Sequence, residues 1–182
     1  TLSARRFGVT NQVGTGTSAG TYVIDNYFAR ARTEVIYLAN DLGGPKRLAS
    51  AALQVASTLG RTLTNWTIRM KHTTRTAFSA GDSWDPDGWT IVYRTNQVFA
   101  STGWCSVAFS TPFDYSGTNH LMVDFSHNNG TAYSYPQSGC RYTAAAQNRV
   151  LASTDSFNSY GDPLSWSGQS PFGIPSGTVP NI

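Results

Sequence analysis

The chain has 182 residues and a formal net charge of +3, with 40% apolar, 13% aromatic and only 13% charged residues; this size suits one domain with a sizeable core. Glu occurs only at position 34 and Lys only at positions 46 and 71, which argues against a helical bundle, while the Thr, Ser, Asn and Gly that fill the gap are poor to mediocre helix formers. The arginines are scattered, so no basic run tracks a phosphate backbone and nucleic acid is not an expected partner; no stretch approaches the roughly 18 apolar residues of a membrane span.

The chain begins at Thr1 without Met, and its hydroxyl- and amide-rich composition is that of extracellular bacterial modules. It reads as a processed or excised piece of a larger secreted protein. Residues 1–21 are rich in Gly, Thr and Ser and read as a loop near the first strand; the glycine spacing over 14–20 is not a dinucleotide fingerprint. Val35 to Ala39 is a compact strand, and Leu42-Gly43-Gly44-Pro45 a turn. Ala51, Leu53 and Val55 alternate, although the stretch 49–59 also has the look of a short helix. Trp66, Ile68, Met70 and His72 alternate with Thr67, Arg69, Lys71 and Thr73, a period of two that gives one apolar face.

Residues 79–88 form a turn-rich loop. Trp89, Ile91 and Tyr93 open another strand, and Trp66, Trp89 and Trp104 read mainly as core. Cys105, Val107 and Phe109 share a face, as do Leu121, Val123 and Phe125, with Asp124 pointing the other way. Asn128-Asn129-Gly130 is a turn signal. Beyond it the pattern weakens, with one strand near 149–152 and a last apolar pair, Val179 and Ile182, placed to close a sheet. The spacing of short strands and turns predicts a single all-β domain spanning 1–182, a two-sheet antiparallel β-sandwich of jelly-roll style. A monomer is expected.

Several segments resemble a module that recurs in large secreted proteins of environmental bacteria: VIYLANDLGG (35–44), NWTIRMKHT (65–73), GWTIVY (88–93), GW (103–104), FSTPFDYSGTNHLMVDFSHNN (109–129), GDPLSW (161–166) and VPNI (179–182). The resemblance implies a non-catalytic β-sandwich accessory domain, similar in style to carbohydrate-binding modules, with covalently linked catalytic or surface domains in the parent chain. It brings no catalytic residues with it.

Four groups of residues carry the candidate chemistry. Cys105 and Cys140 lack metal-ligand spacing; in an oxidising compartment they are expected to pair as a disulfide, the alternative being two buried free thiols. Asp82, Asp85 and Asp87 place three carboxylates around Gly88, enough oxygen ligands for a structural calcium ion, or simply an Asp/Pro/Gly turn that caps its own backbone. No other cofactor is expected. Trp84, Trp166, Tyr133, Tyr135 and Tyr160 lie where the chain turns rather than where strand alternation needs a ring. Exposed loop rings of this kind stack on the apolar face of a sugar, so they form the expected polysaccharide-binding platform; the alternative is that they cap the ends of the sandwich. His72, His120 and His127 show no zinc spacing, and no GxSxG motif is present. Asp124 is the best lone carboxyl for a polysaccharide lyase or hydrolase, a minor reading. The leading expectation is a polysaccharide-binding module; the runner-up is a structural or adhesion module without a sugar site.

Overall fold

The computed structural model describes residues 10–132 and 137–182; Tyr133 and Tyr135 lie outside the described residues. The strands are β1 (Ser18–Gly20), β2 (Arg30–Tyr37), β3 (Lys46–Ser57), β4 (Thr62–Thr73), β5 (Thr90–Val98), β6 (Gly103–Tyr115), β7 (His120–Asn128), β8 (Gly139–Ala144), β9 (Val150–Asp155), β10 (Ile174–Ser176) and β11 (Thr178–Pro180). The one α-helical turn among them is α1 (Ala39–Leu42). The predicted β-sandwich is therefore correct, and the 49–59 stretch is strand, inside β3.

Two antiparallel sheets make the sandwich. One has the order β1-β8-β3-β6, with β11 also paired to β8; the other has the order β10-β9-β2-β7-β4-β5. The short outer strands β10 and β11 carry Pro175 and Pro180, and proline at a sheet margin withholds a donor from any further strand. Between the sheets lies a core built from Val35, Tyr37, Leu53, Val55, Trp66, Ile68, Met70, Val107, Phe109, Leu121, Val123 and Phe125. From Leu53 to Phe125 these are alternating positions read from the sequence, but the register read over 89–93 is off by one: Val92 is buried and Ile91 is 44% exposed. Trp66 is fully enclosed and meets Phe99 edge-on, with ring centroids 5.3 Å apart.

Corrections concern Trp89, Trp104, His72 and the cysteines. Trp104 is 44% exposed on the outer face of β6, not core, and Trp89 is only partly buried. His72 is exposed, although its ring stacks on Tyr115 and accepts the Ser116 N–H at 2.9 Å. Cys105 and Cys140 are free thiols. Cys105 stands opposite Leu53 and Cys140 opposite Val55, on the two flanks of β3. Two strand spacings, roughly 9–10 Å, separate them, beyond the roughly 7 Å Cα separation that a disulfide spans. Burial pushes the Cys140 thiol up to about 12, with Cys105 adding to the rise. A thiol reagent at neutral pH is expected to modify half-buried Cys105 first and Cys140 only after denaturation, with two thiols counted in total. A chain that shows no free thiol when unfolded without reductant would overturn this.

His127 closes the far end of β7, 2% exposed, with Nε2 3.3 Å from the Phe28 carbonyl oxygen. Burial lowers its pKa to about 4, and the Phe28 contact only partly offsets this. A base held below its unfolded value of 6.5 gives stability that is complete above pH 6.5 and is lost as pH falls toward 4; the gap is worth roughly 3 kcal/mol. Asp25 works against it: burial raises that carboxyl to about 6, so its folded form gains stability as pH falls through the same range. The clean readout is therefore a difference. The melting temperature of the native chain minus that of His127→Gln is expected to shrink steadily between pH 6.5 and 4, and a difference independent of pH would refute it.

Candidate functional site

The larger sheet is covered on both sides. Its outer face carries Arg32, Glu34 and Ile36 from β2, Met122, Asp124 and Ser126 from β7, Thr67, Arg69 and Lys71 from β4, and Leu151 from β9. Glu34 stands directly opposite Asp124, and Asp124 opposite Arg69. In an ordinary two-layer sandwich these positions face water. Here the loops between β4 and β5 and between β9 and β10 fold over them. They form a second core of Ile36, Phe78, Trp84, Met122, Leu151 and Trp166.

The two loops join each other and the charges beneath them. Trp84 N–H donates to the Gly168 carbonyl at 2.9 Å, and its indole N–H donates to the Pro171 carbonyl at 2.8 Å. The Trp84 and Trp166 rings lie 5.9 Å apart. Arg32 is the hub below them. It donates to Asp124 Oδ2 at 2.9 Å, Glu34 Oε1 at 2.7 Å and the Trp166 carbonyl at 2.6 Å, and its guanidinium lies 4.8 Å from the centre of the Trp84 ring. Arg69 makes a second ion pair with Asp124. The side chains of Arg32, Glu34 and Asp124 are at most 1% exposed. Burial pushes the Glu34 carboxyl well above the usual range; Arg32 opposes the rise, and Asp124 and Asp85 add to it. The charge on Asp124 persists this far from water because two guanidinium groups pair with it.

This cap corrects two of the sequence expectations. Trp84 and Trp166 are 1% and 3% exposed, so neither offers a ring face to a sugar. They are packed because the outer face they cover is itself partly apolar. The acidic loop holds cations, but they are the protein's own. Asp82 pairs with Arg75 at 2.7 Å, Asp85 pairs with Lys71 at 2.9 Å, and the Lys71 ammonium also donates to the Asp87 carbonyl at 3.1 Å. No group of His, Cys, Asp or Glu able to hold a metal ion is found among the described residues. The expected calcium site of Asp82, Asp85 and Asp87 is thus an ion-paired turn. Asp124, read as a lone outward carboxyl, does leave the core face, but it enters a sealed cluster where no substrate atom reaches it.

Among the described residues, the ring expected at the surface and found there is Tyr160, 47% exposed. It shares the loop after β9 with Phe157, which is 89% exposed and which the sequence pattern does not single out. The loop is fixed from below. Asp155 Oδ1 accepts the Phe157 N–H at 2.9 Å and Oδ2 accepts the Tyr160 N–H at 3.1 Å. Burial raises this carboxyl's pKa, but the N–H bonds from Tyr160, Phe157 and Ser159, together with Arg30, outweigh it and the net shift is downward. Asn158, at φ 58°, takes the left-handed turn that Asn tolerates and donates to the Gly130 carbonyl at 2.8 Å. Tyr160 also meets Trp166 edge-on and accepts its indole N–H through the backbone carbonyl at 3.1 Å. The result is a fixed turn holding two rings outward among Ser156, Asn158 and Ser159.

Comparison with models of protein families, with curated proteins and with solved structures finds no match to this chain.

Proposed function

We propose that the chain is a non-catalytic polysaccharide-binding module, extracellular and joined to other domains of a bacterial protein, whose contact surface is the loop 156–161. The observation that carries this reading is Phe157, 89% exposed on a turn that its neighbour Asp155 holds rigid. Leaving a large ring in water gains nothing for folding, and a rigid ring loses little entropy when it binds. Tyr160 beside it adds a second ring with a hydroxyl, and the surrounding Ser and Asn side chains suit sugar hydroxyls. The enclosure of Glu34 and Asp124 favours binding over hydrolysis, which needs two carboxyls within reach of the scissile bond.

The test is calorimetry or affinity electrophoresis on a panel of plant and algal polysaccharides, comparing the native chain with Phe157→Ala and Tyr160→Ala. A stacking ring contributes on the order of 1–3 kcal/mol through the apolar area it buries, so Phe157→Ala is expected to weaken binding about tenfold or more while the melting temperature hardly moves. If the native chain binds no polysaccharide, or both variants bind as well as it does, the structural or adhesion reading replaces this one.

A further inference from the structure

A second feature lies at the opposite end of the sandwich, where β4 finishes and β7 begins. A depression of about 170 Å³ is lined by Thr73, Thr74, Thr118, Asn119 and His120. Its wall is preorganised. The turn before β7 closes around Ser116, whose hydroxyl accepts the Thr118 N–H at 3.4 Å and the Asn119 N–H at 3.5 Å. Tyr115 OH donates to the Asn119 carbonyl at 2.8 Å, and the Ser116 N–H is held by His72. Gly117 sits at φ 77°, and a Cβ there would collide with the Pro45 backbone, so the turn requires glycine at this position.

The chemistry of the lining is specific. The Ala39 N–H donates to His120 Nδ1 at 3.0 Å. In the neutral ring that bond puts the remaining proton on Nε2, which becomes a donor. Among the described residues, His120 Nε2, Asn119 Nδ2 and the Thr74 hydroxyl have no hydrogen-bond partner, while the Thr118 hydroxyl lies 3.2 Å from both Asn119 Oδ1 and Ser116 Oγ. Thr73 Oγ1 accepts the Arg75 N–H at 3.0 Å, which leaves its proton to give. None of the lining residues is acidic. The depression therefore offers several donors, of which His120 Nε2 is oriented by the Ala39 N–H, and no anion. It is open to solvent on one side, with room for a small ligand laid against the wall.

We propose that this depression is a binding site for a sugar that carries a carboxylate, a uronic acid residue. The carboxylate would accept from His120 Nε2 and Asn119 Nδ2, and the ring hydroxyls would meet Thr73, Thr74 and Thr118. The site is separate from the loop 156–161 and stands or falls independently of it.

The experiment is a titration of the 15N-labelled chain with galacturonate, glucuronate, glucose and acetate, followed by amide shifts. Saturable shifts confined to residues 73–74 and 116–120 are expected with one of the uronates, weaker ones with glucose or acetate. Asn119→Ala and Thr74→Val are both exposed substitutions that should leave the remaining spectrum intact. Each is expected to raise the dissociation constant about three- to tenfold, and the pair more, given the usual strength of bonds to a charged acceptor. Phe157→Ala is expected to change nothing here. If neither uronate gives saturable shifts, or acetate saturates the site as tightly as the uronates, the proposal is overturned. Equal binding by the Asn119→Ala/Thr74→Val double variant also overturns it.

Discussion

Replacing Arg32 with Met is expected to lower the unfolding free energy by about 3–5 kcal/mol, the usual cost of removing one partner from a buried ion pair. The reason is what remains behind. Glu34 and Asp124 face each other across β2 and β7, both enclosed, and would have Arg69 alone to neutralise them. The Trp166 carbonyl would lose its donor at 2.6 Å, and the Asp85 carbonyl the weaker bond at 3.3 Å, so both cap loops would lose their common anchor. A denaturant titration reads the effect as a lower midpoint at unchanged slope. The companion variant is Arg32→Met with Glu34→Gln. It removes the buried carboxyl together with its lost partner and leaves the Arg69–Asp124 pair balanced, so it is expected to recover a large part of the loss. If Arg32→Met costs less than about 1 kcal/mol, the cluster is wetter than its geometry states and the cap is not anchored there.

The inner faces of the strands are legible in the sequence because one of their two sides is uniformly apolar. Trp66, Ile68 and Met70 alternate with Thr67, Arg69 and Lys71, and Leu121, Val123 and Phe125 with Met122 and Asp124; period two identifies the core side in each case. The outer side is not legible in the same way. Charged residues there read as solvated, and nothing local says that a loop fifteen or more residues away will cover them. Asp124 is the instructive residue: its direction is correct, but its environment depends on Trp84 and Trp166 arriving from two different loops. The same limit hides the thiols. Cys105 and Cys140 both face the core, yet whether they meet depends on strand order, and β3 lies between them. Phe157 escapes notice for the opposite reason. It stands alone among Ser and Asn, and its exposure becomes meaningful only once Asp155 is seen to hold its backbone in place. The donor-lined depression joins the end of β4 to the turn before β7, more than forty residues apart in the chain, and so has no sequence motif at all.

Trp84→Ala is expected to destabilise the chain by about 3–5 kcal/mol, the range for deleting a large buried ring. The ring is 1% exposed, it contacts Trp166, and Arg32 lies over it. Its loss would open a cavity between the two cap loops. It would also leave the Pro171 carbonyl without the indole donor and the Arg32 guanidinium without its aromatic lid. Trp84→Phe keeps most of the volume but not the indole N–H, so an intermediate loss of about 1–3 kcal/mol is expected. Phe157→Ala, at a ring that folding leaves in water, should stay within about 0.5 kcal/mol of the native chain. The three variants are compared by denaturant unfolding followed through tryptophan fluorescence and near-ultraviolet circular dichroism. The ordering matters for any binding assay. A Trp84→Ala chain that fails to retain polysaccharide has lost its cap rather than a stacking platform, whereas a Phe157→Ala chain that fails has kept its fold and lost the contact. Were Trp84→Ala to unfold at the native midpoint, the second core over β2 and β7 would not exist in solution. The Arg32 cluster would then be open to water, and Glu34 and Asp124 would return as carboxyls within reach of a ligand.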